Sequence, residues 1–511
     1  MNGAESLVQT LLGAGVDTCF ANPGTSEMHF VAALDRIPGM RCVLALFEGV
    51  ATGAADGYAR LAGKPAATLL HCGPGLANGL ANLHNARRAQ SAVVNCVGDQ
   101  ATHHRVLDAP LTADTEGWAR GASHWVRTAQ SAATVGADAA VAVQAARTGP
   151  GQVATLILPS DTCWDEGGVV APPLPVPVAA APAPTTIATI ARLYPWDGAT
   201  MLFLGGSALS ERGLRAAARL AAGTGVQLRT PISNARIARG QGRLAIERLP
   251  YPVDAACAVL ADVRHLILAG ARAPVGFFAY PSKPGRLAPA TAQVHELARP
   301  EQDAAAALEA LADQLGLPDA APPATPRPEP ARGAITSEAF AQSLAALLPE
   351  QAVVVDESIT FGRGFFRGTF GAAPHDWLQL CGGAIGEGLP LATGAAIGAP
   401  GRRVVTLQAD GSALYTVQAL WTQARERLDV TTVIFDNRRY AILQGELTAV
   451  GANPGRTALD MLDLGRPDID WVRVAEGFGV PAARATDMAT FNDLFAQSCA
   501  RSGPFLIALA T

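Results

Sequence analysis

The sequence predicts an α/β protein built from three doubly wound domains with parallel sheets. Short apolar runs that suit buried parallel strands alternate with stretches rich in alanine and glycine that suit helices. Two segments rich in proline and alanine, residues 169–186 and 317–333, interrupt this alternation, because repeated prolines favour an extended connector over a helix. They divide the 511-residue chain into predicted domains at residues 1–170, 186–316 and 334–511.

Composition argues against several classes of function. The chain has 39 Lys and Arg against 44 Asp and Glu, a net charge of −5, so no overall cationic field would attract nucleic acid or a membrane surface. Its 8 cysteines are scattered singly through apolar runs, which is typical of reduced core residues. The N-terminal sequence lacks the layout of a signal peptide, and no apolar run is long enough to span a bilayer. We therefore expect a cytoplasmic protein without nucleic-acid or membrane partners.

In the first segment, predicted strands end at turns that could form part of a site. Residues 18–21 and 66–69 are apolar, and each run leads into a turn, Asn-Pro-Gly-Thr-Ser-Glu at 22–27 and His-Cys-Gly-Pro-Gly at 71–75. A further apolar run at 91–97 predicts another buried strand. Ligands of such sheets bind at the carboxyl ends of strands, so both turns are candidate binding loops.

The middle segment predicts a smaller unit of the same kind. Residues 200–204 and 265–268 suit buried strands, and an alanine-rich helix is predicted over residues 211–223. We expect a small α/β domain between the two larger ones.

In the third segment, polar residues follow two strands at a spacing that would bring them together. Three buried strands are predicted, at residues 352–355, 403–407 and 431–435. The interval of 27 residues from Asp410 to Asn437 fits a strand, a helix and the next parallel strand, so both side chains would emerge at neighbouring strand ends. Such oxygen ligands suit Mg²⁺, and Gly411 and Ser412 suit a phosphate group at a helix start. Asp-Gly-Ser alone is an ordinary turn sequence, so the metal-site hypothesis depends on the spacing of the two motifs.

Together the two motifs resemble the diphosphate-and-magnesium motif of thiamine-diphosphate-dependent enzymes, particularly the benzoylformate decarboxylases and the acetolactate-synthase-like group. The family usually has glycine before the aspartate and a double asparagine at the end, where this chain has Ala409 and Asp436. The resemblance implies a set of ligands: Asp410, Asn437 and the backbone carbonyl of Arg439 for Mg²⁺, and Gly411, Ser412 and Asn437 for the cofactor.

A second match lies near the N-terminus. Leu-Phe-Glu-Gly-Val-Ala at 46–51, followed by Ala-Asp-Gly-Tyr-Ala-Arg at 55–60, resembles the family's activating-glutamate helix. By this resemblance Glu48 contacts the aminopyrimidine ring of the cofactor and promotes the proton transfer that creates its ylide. An isolated acid at a helix start is more often a partner of the helix dipole, so this assignment depends on the surrounding match.

The two N-terminal turns and two C-terminal segments resemble further parts of the family's active site. The resemblance implies a catalytic histidine at His71 and a catalytic hydroxyl at Thr25, with Ser26 as the adjacent alternative. The remaining residues that it implies contact the cofactor: Ser358 and Thr360 on the diphosphate side, and Gly383 and Ile385 at the ring junction. Glu387, in the same glycine-rich segment, is expected to point to solvent.

The middle-domain loop at 270–285 resembles the site where benzoylformate decarboxylases carry a second catalytic histidine, and it contains no histidine. Phe277, Phe278 and Tyr280 would instead form an apolar wall, unless they are ordinary packing residues.

The resemblance spans nearly the whole chain and implies pyrimidine-binding, central and diphosphate-binding domains. It implies non-oxidative decarboxylation of a 2-keto acid such as benzoylformate, through an ylide and an enamine. Acetolactate-synthase-type carboligation and a non-catalytic cofactor-binding relative are the alternatives. It also implies a homodimer or homotetramer with active sites between chains. Acetolactate synthases also bind FAD, but no glycine fingerprint here calls for it, and we do not expect FAD.

Overall fold

The computed structural model describes residues 1–196 and 198–511 and contains three sheets, each flanked by helices. The first unit has strands β1 (Thr18–Asn22), β2 (Arg41–Leu44), β3 (Ala66–Leu70), β4 (Val93–Asp99), β5 (Trp125–Thr128) and β6 (Val153–Pro159). Its helices are α1 (Gly3–Gly13), α2 (Met28–Arg36), α3 (Glu48–Ala62), α4 (Cys72–Ala89), α5 (Thr115–Ala122), α6 (Ala132–Arg147) and α7 (Ser160–Trp164). All strand pairs are parallel, in the order β2-β1-β3-β4-β6-β5. Strands β3, β4 and β6 are buried throughout, as expected for central strands covered on both faces.

The middle unit is smaller. Its strands are β7 (Thr200–Leu204), β8 (Gln227–Arg229), β10 (His265–Ala269) and β11 (Gln293–Ala298), in the order β11-β10-β7-β8. Its helices are α8 (Pro184–Ala191), α9 (Glu211–Thr224), α10 (Val253–Leu260) and α11 (Ala304–Gln314). The strand β9 (Ile237–Arg239) leaves this unit and pairs with the sheet of the third.

The third unit has a seven-stranded sheet in the order β16-β17-β15-β14-β12-β13-β9, parallel except for β9. Its strands are β12 (Val353–Glu357), β13 (His375–Gln379), β14 (Val404–Ala409), β15 (Val430–Asp436), β16 (Ala482–Ala485) and β17 (Phe505–Ala510). Its helices are α12 (Ser337–Leu347), α13 (Phe365–Gly368), α14 (Gly388–Gly398), α15 (Asp410–Ala413), α16 (Ala419–Arg425), α17 (Ala441–Ala449), α18 (Arg456–Asp460), α19 (Trp471–Gly477) and α20 (Met488–Ala500). The predicted fold class, three doubly wound parallel-sheet units, is confirmed.

The first and third units share a hydrophobic core, and helices α3 and α14 cross within it. The crossing requires glycine, because a Cβ atom at Gly57 would overlap the carbonyl oxygen of Leu391, and one at Gly394 would overlap that of Ala54. The two backbones therefore approach more closely than any larger residue would permit.

Arg60 of α3 forms a buried ion-pair cluster across the same boundary. Its guanidinium binds Asp56 at 2.6 Å and Glu387 at 2.7 Å. The expectation that Glu387 points to solvent is therefore wrong: the side chain is 1% exposed, because Arg60 compensates its charge inside the interface. Burial nevertheless raises the pKa of Glu387 well above its ordinary value.

Within the described residues, no helix combines the length and the apolar character needed to cross a bilayer.

Candidate active site

Four polar or glycine-rich segments meet at one edge of the C-terminal sheet. Strands β13, β12, β14 and β15 are neighbours, and their carboxyl ends lead into the segments that begin at residues 380, 358, 410 and 437. The register pairs Glu357 with Gln408 and Ala409 with Phe435, so Asp410 follows one strand end directly beside Asp436. Asn437 is the next residue along. The parallel register brings together side chains that are distant in sequence.

Asp410 is a buried carboxylate held by main-chain groups. It is 3% exposed, and it accepts hydrogen bonds from the backbone N–H of Gly411 at 2.8 Å and of Arg438 at 2.6 Å. Arg438 has a φ of 56°, in the left-handed region, which turns the chain toward Asp410. Burial raises the pKa of Asp410 to about 6 despite these two donors, and the nearby Asp436 carboxylate contributes to this rise. Among the residues that the structure describes, no cationic side chain is paired with the Asp410 carboxylate.

The other residues of this motif lie around Asp410. The backbone N–H of Arg439 donates to Asn437 Oδ1 at 3.1 Å. A Cβ atom at Gly411 would lie 2.6 Å from the ring of Tyr440, so only glycine fits beneath this ring. The Ser412 hydroxyl donates to the carbonyl of Ala409 at 3.1 Å.

Glu357 is a site residue that the sequence analysis missed. Its buried carboxylate, 2% exposed, accepts hydrogen bonds from the backbone N–H of Gly386 at 2.7 Å and of Gly388 at 2.8 Å, and from the Gln408 side chain at 2.8 Å. Burial raises the pKa of Glu357. The carboxylate fixes the glycine-rich segment, residues 381–388, to the end of β12. The signal in the sequence that could have identified Glu357 is an acidic residue at the end of an apolar strand.

Four further residues were expected to contact the cofactor, and they differ in burial and in backbone conformation: Ser358, Thr360, Gly383 and Ile385. The Ser358 hydroxyl is buried and donates to Asp356 Oδ1 at 2.5 Å, whereas Thr360 is partly exposed. Gly383 has a φ of 80° and Ile385 is partly exposed.

Glu48 begins helix α3 on the N-terminal side of the site. Its side chain is largely buried, 8% exposed, and accepts a hydrogen bond from Asn78 Nδ2 at 3.0 Å. Asn82 of α4 donates to the carbonyl of Gly49 at 2.8 Å and to that of Gly386 at 3.4 Å. The start of α3 and the glycine-rich segment are therefore joined by one side chain.

Helix α4 makes further hydrogen bonds to the glycine-rich segment. Asn85 donates to the carbonyl of Ala384 at 2.7 Å and accepts from its N–H at 3.2 Å, and His84 Nε2 lies 3.1 Å from the carbonyl of Gly382. These contacts, which sequence patterns did not reveal, orient the segment against the first unit.

His71 lies in a polar cluster with Ser26, Glu27 and Cys72. Strands β1 and β3 pair in register, so the turns that follow them are adjacent. Glu27, 2% exposed, places Oε2 at 2.9 Å from His71 Nδ1 and accepts from the N–H of Gly24 at 2.7 Å. Ser26 Oγ lies 3.4 Å from His71 Nδ1 and 3.1 Å from Cys72 Sγ, and it donates to Glu27.

The structure thus places Ser26 rather than Thr25 beside the histidine, because the Thr25 side chain is exposed. Glu27 was missed by the sequence analysis. Burial raises the pKa of Cys72 to about 11, so its thiol stays protonated at neutral pH.

Four aromatic residues of the middle unit, Tyr251, Phe277, Phe278 and Tyr280, form what we call the aromatic wall. The ring of Phe277 packs on Phe278 and Tyr251, with centroid separations of 5.0 and 5.6 Å. Phe277 also lies against Gly383, where a Cβ atom would be 2.7 Å from the ring. The apolar wall expected from the sequence therefore adjoins the glycine-rich segment.

A separate cleft, with a volume of about 1300 Å³, lies where the three units meet. Several of its lining residues are cationic, among them Arg60, Arg87, Arg236 and Arg243. Glu48, His71 and Asp410 do not line this cleft, so the predicted site lies elsewhere.

Two parts of the chain match the thiamine pyrophosphate enzyme family. Residues 1–125 match its N-terminal TPP binding domain, and residues 369–509 match its C-terminal TPP binding domain. These ranges contain Glu48 and His71 on one side, and Asp410 and Asn437 on the other.

Relatives and solved structures agree with this match. A Mycobacterium tuberculosis protein provisionally named acetolactate synthase large subunit IlvX is 54% identical over 510 residues, which cover 99% of this chain and 98% of that protein. Benzoylformate decarboxylase of Pseudomonas aeruginosa is 29% identical, over 97% of this chain and 96% of that one. A thiamine diphosphate-dependent 4-hydroxybenzoylformate decarboxylase of Rhodococcus jostii RHA1 shares the fold, with a TM-score of 0.87 and 24% identity over 100% of this chain and 99% of that chain. The chain belongs to the thiamine pyrophosphate enzyme family, as the motifs around Glu48 and Asp410 had indicated.

Proposed function

We propose that this enzyme catalyses the non-oxidative decarboxylation of a 2-keto acid related to benzoylformate, releasing carbon dioxide and an aldehyde. One observation carries the proposal. The buried Glu48 lies at the start of α3, and Asn82 joins this helix start to the glycine-rich segment through Gly49 and Gly386. A proton-transferring carboxyl group and a cofactor-binding sheet edge thereby belong to one site.

The residues present fit thiamine diphosphate and Mg²⁺. The donor set of Asp410, Asn437 and the Arg439 carbonyl consists of hard oxygen atoms, which Mg²⁺ prefers. Burial raises the pKa of Asp410 to about 6, and within the described part of the chain no cationic side chain is paired with it, as expected of a carboxylate whose cation is supplied from outside the chain. Because Gly411 has no Cβ atom, the ring of Tyr440 packs directly against the chain that follows Asp410.

Cofactor contacts are proposed for a further set of residues: Gly411, Ser412, Asn437, Ser358 and Thr360 at the diphosphate, and Glu48, Gly383 and Ile385 at the rings. The hydroxyls of Ser412 and Ser358 donate to Ala409 and Asp356. Each hydroxyl would therefore rotate away from this acceptor in order to donate to a phosphate oxygen of the cofactor. When bound, thiamine diphosphate supplies a carbon nucleophile and an acceptor for the electrons released with carbon dioxide.

The N-terminal residues would hold and move protons. Glu48 would hold a proton at its carboxyl oxygen, oriented by the amide of Asn78. Glu27 would accept the Nδ1–H of His71, which leaves Nε2 to face the keto acid. Ser26 would supply the hydroxyl, since it is the one beside His71. We therefore assign Glu27 as a positioning residue for His71.

Carboligation of two keto acids is the second candidate function. The 54% identity to a protein bearing an acetolactate synthase name favours it. The turn Cys-Gly-Pro-Gly at 72–75 also resembles the synthase subgroup. The two reactions share their first steps and differ in whether a proton or a second carbonyl compound is taken up.

A homodimer or homotetramer with active sites between chains is also proposed, in which a partner subunit would complete the site that Glu48 and the glycine-rich segment of one chain begin. Exposed apolar side chains of the first unit support it: Val106 is 83% exposed and Leu107 67% exposed, and Trp118, 42% exposed, adjoins Gly73. Light scattering coupled to size exclusion would measure the mass of the assembly, and a monomer that is active at every concentration would contradict the proposal.

The test of function is steady-state turnover of benzoylformate, pyruvate and branched 2-keto acids with thiamine diphosphate and Mg²⁺. Product analysis distinguishes an aldehyde from an acyloin or acetolactate. Aldehyde as the main product supports decarboxylation, and acetolactate from pyruvate supports carboligation. The absence of any cofactor-dependent product would contradict both.

A further inference from the structure

Helix α17 follows the metal motif directly and is weakly anchored. None of its residues is buried. Its start is held where Tyr440, the residue before the helix, packs over Gly411. A helix without a buried face gains little from hydrophobic packing, so polar contacts carry more of its attachment.

Glu446, in the second turn of α17, provides such contacts. Its carboxylate accepts hydrogen bonds from the Tyr251 hydroxyl at 3.2 Å and from the Tyr280 hydroxyl at 2.9 Å. Both tyrosines belong to the middle unit, so the contacts join two units. Burial, with the neighbouring carboxylate, raises the pKa of both phenols, and both remain hydrogen-bond donors at neutral pH.

The two tyrosines are also members of the aromatic wall. Phe277 contacts Tyr251 on one side and Gly383 on the other. Phe277 and Phe278 remain 46% and 58% exposed, so an aromatic face is open beside the glycine-rich segment. Any group bound between this segment and α17 would meet that face.

We propose that Tyr251 and Tyr280 position α17 through Glu446, and that the aromatic wall held in this way selects keto acids with a flat aromatic or large apolar acyl group. The selection of substrate rests on the proposed keto-acid chemistry. The positioning of α17 rests only on the hydrogen bonds that Tyr251 and Tyr280 donate to Glu446. Glu446 is a positioning residue, since it acts on the helix.

Hydrogen exchange of the full-length, cofactor-free chain tests the positioning step. Glu446→Ala, and the double variant Tyr251→Phe with Tyr280→Phe, should each speed exchange of the backbone amides of α17 about tenfold. Glu446→Gln should restore most of the protection, because an amide can accept from one phenol and donate to the other. Glu476→Gln, an exposed carboxylate of the same unit, is the matched control. Unchanged exchange in both tyrosine and alanine variants would overturn the positioning role.

Kinetics test the selection step. Glu446→Ala should raise KM for benzoylformate about tenfold with kcat nearly unchanged, and leave KM for pyruvate within about twofold. Equal effects on the two substrates, or a fall in kcat alone, would overturn selection by the wall. If the wild-type chain turns over none of the benzoylformate, pyruvate and branched keto acids tested, the proposed function fails, and calorimetric binding of benzoylformate and pyruvate replaces the KM comparison. Hydrogen exchange decides the positioning step in either case, so the two failures remain distinguishable.

Discussion

The two sides of the candidate site hold their carboxylates in different ways. On the C-terminal side, Asp410 and Glu357 each accept at least two backbone N–H groups. On the N-terminal side, Glu48 is bound by the Asn78 side chain, and Glu27 by His71 and Ser26 as well as one backbone N–H. Backbone donors are set by strand register and cannot change their protonation, whereas the side-chain partners include groups that exchange protons.

This difference suits the two chemical tasks. A cation and a diphosphate need a rigid arrangement of charge, which main-chain donors at strand ends supply. Proton transfer needs carboxyl and imidazole groups with mobile hydrogens, which the N-terminal side supplies. The predictions below test this division, beginning with the largest expected effect.

Glu48→Gln should lower turnover by about 10²–10⁴-fold, because an amide cannot exchange the proton that a carboxyl group transfers. The substitution keeps the size of the side chain, so binding of thiamine diphosphate, measured by calorimetry, should persist. Glu476→Gln serves as the exposed control. Full turnover in the Glu48 variant would show that proton transfer does not depend on the Glu48 carboxyl group of the N-terminal side.

Asp410→Asn should stabilise the cofactor-free chain and abolish its stabilisation by Mg²⁺ with thiamine diphosphate. Because the pKa is raised from 3.8 to about 6 on folding, the folded state binds a proton more tightly than the unfolded state, and stability falls as pH rises through this interval. The gain should be about 1–3 kcal/mol near pH 7 and should vanish near pH 4. Chemical denaturation near pH 7 and near pH 4 measures this gain in the free energy of unfolding. A gain of equal size at both pH values would show that the charge of Asp410 is not its cause.

Gly57→Ala tests the junction between the two sides. The added methyl group would overlap the Leu391 carbonyl and push α3 from α14, at a cost of about 1–3 kcal/mol in the free energy of unfolding. Gly13→Ala is the matched control, since nothing lies within 4 Å of its added atom. Chemical denaturation of both variants gives the comparison, and equal stabilities would mean that the helices can separate without loss.

Glu27→Gln should lower kcat about tenfold with KM nearly unchanged, because an amide can donate to Nδ1 of His71 as well as accept from it and so no longer holds the imidazole in one tautomer. Ser26→Ala keeps the carboxylate and should lower kcat less. The measurement is kcat and KM for both variants. An equal fall in kcat in both variants, or a change in KM alone, would assign Glu27 a merely structural role.

Much of the fold could be predicted because strand and helix signals are local. The strands predicted at 200–204, 265–268 and 431–435 coincide with β7, β10 and β15 to within one residue at each end. The adjacency of Asp410 and Asn437 followed from an interval that a β-α-β unit fills, since parallel register turns a distance along the chain into a neighbouring position.

What the sequence by itself determined is therefore the α/β class, the strand ends and the motifs that identify the family. Only the tertiary structure decided that Glu27 meets His71, that Asn82 joins Gly49 to Gly386 and that Glu387 is buried against Arg60. Residues 60 and 387 are separated by 327 positions, and no local pattern records which helix will pack against which loop. Such contacts follow from the packing of whole units, in which a buried charge persists only where a distant partner compensates it.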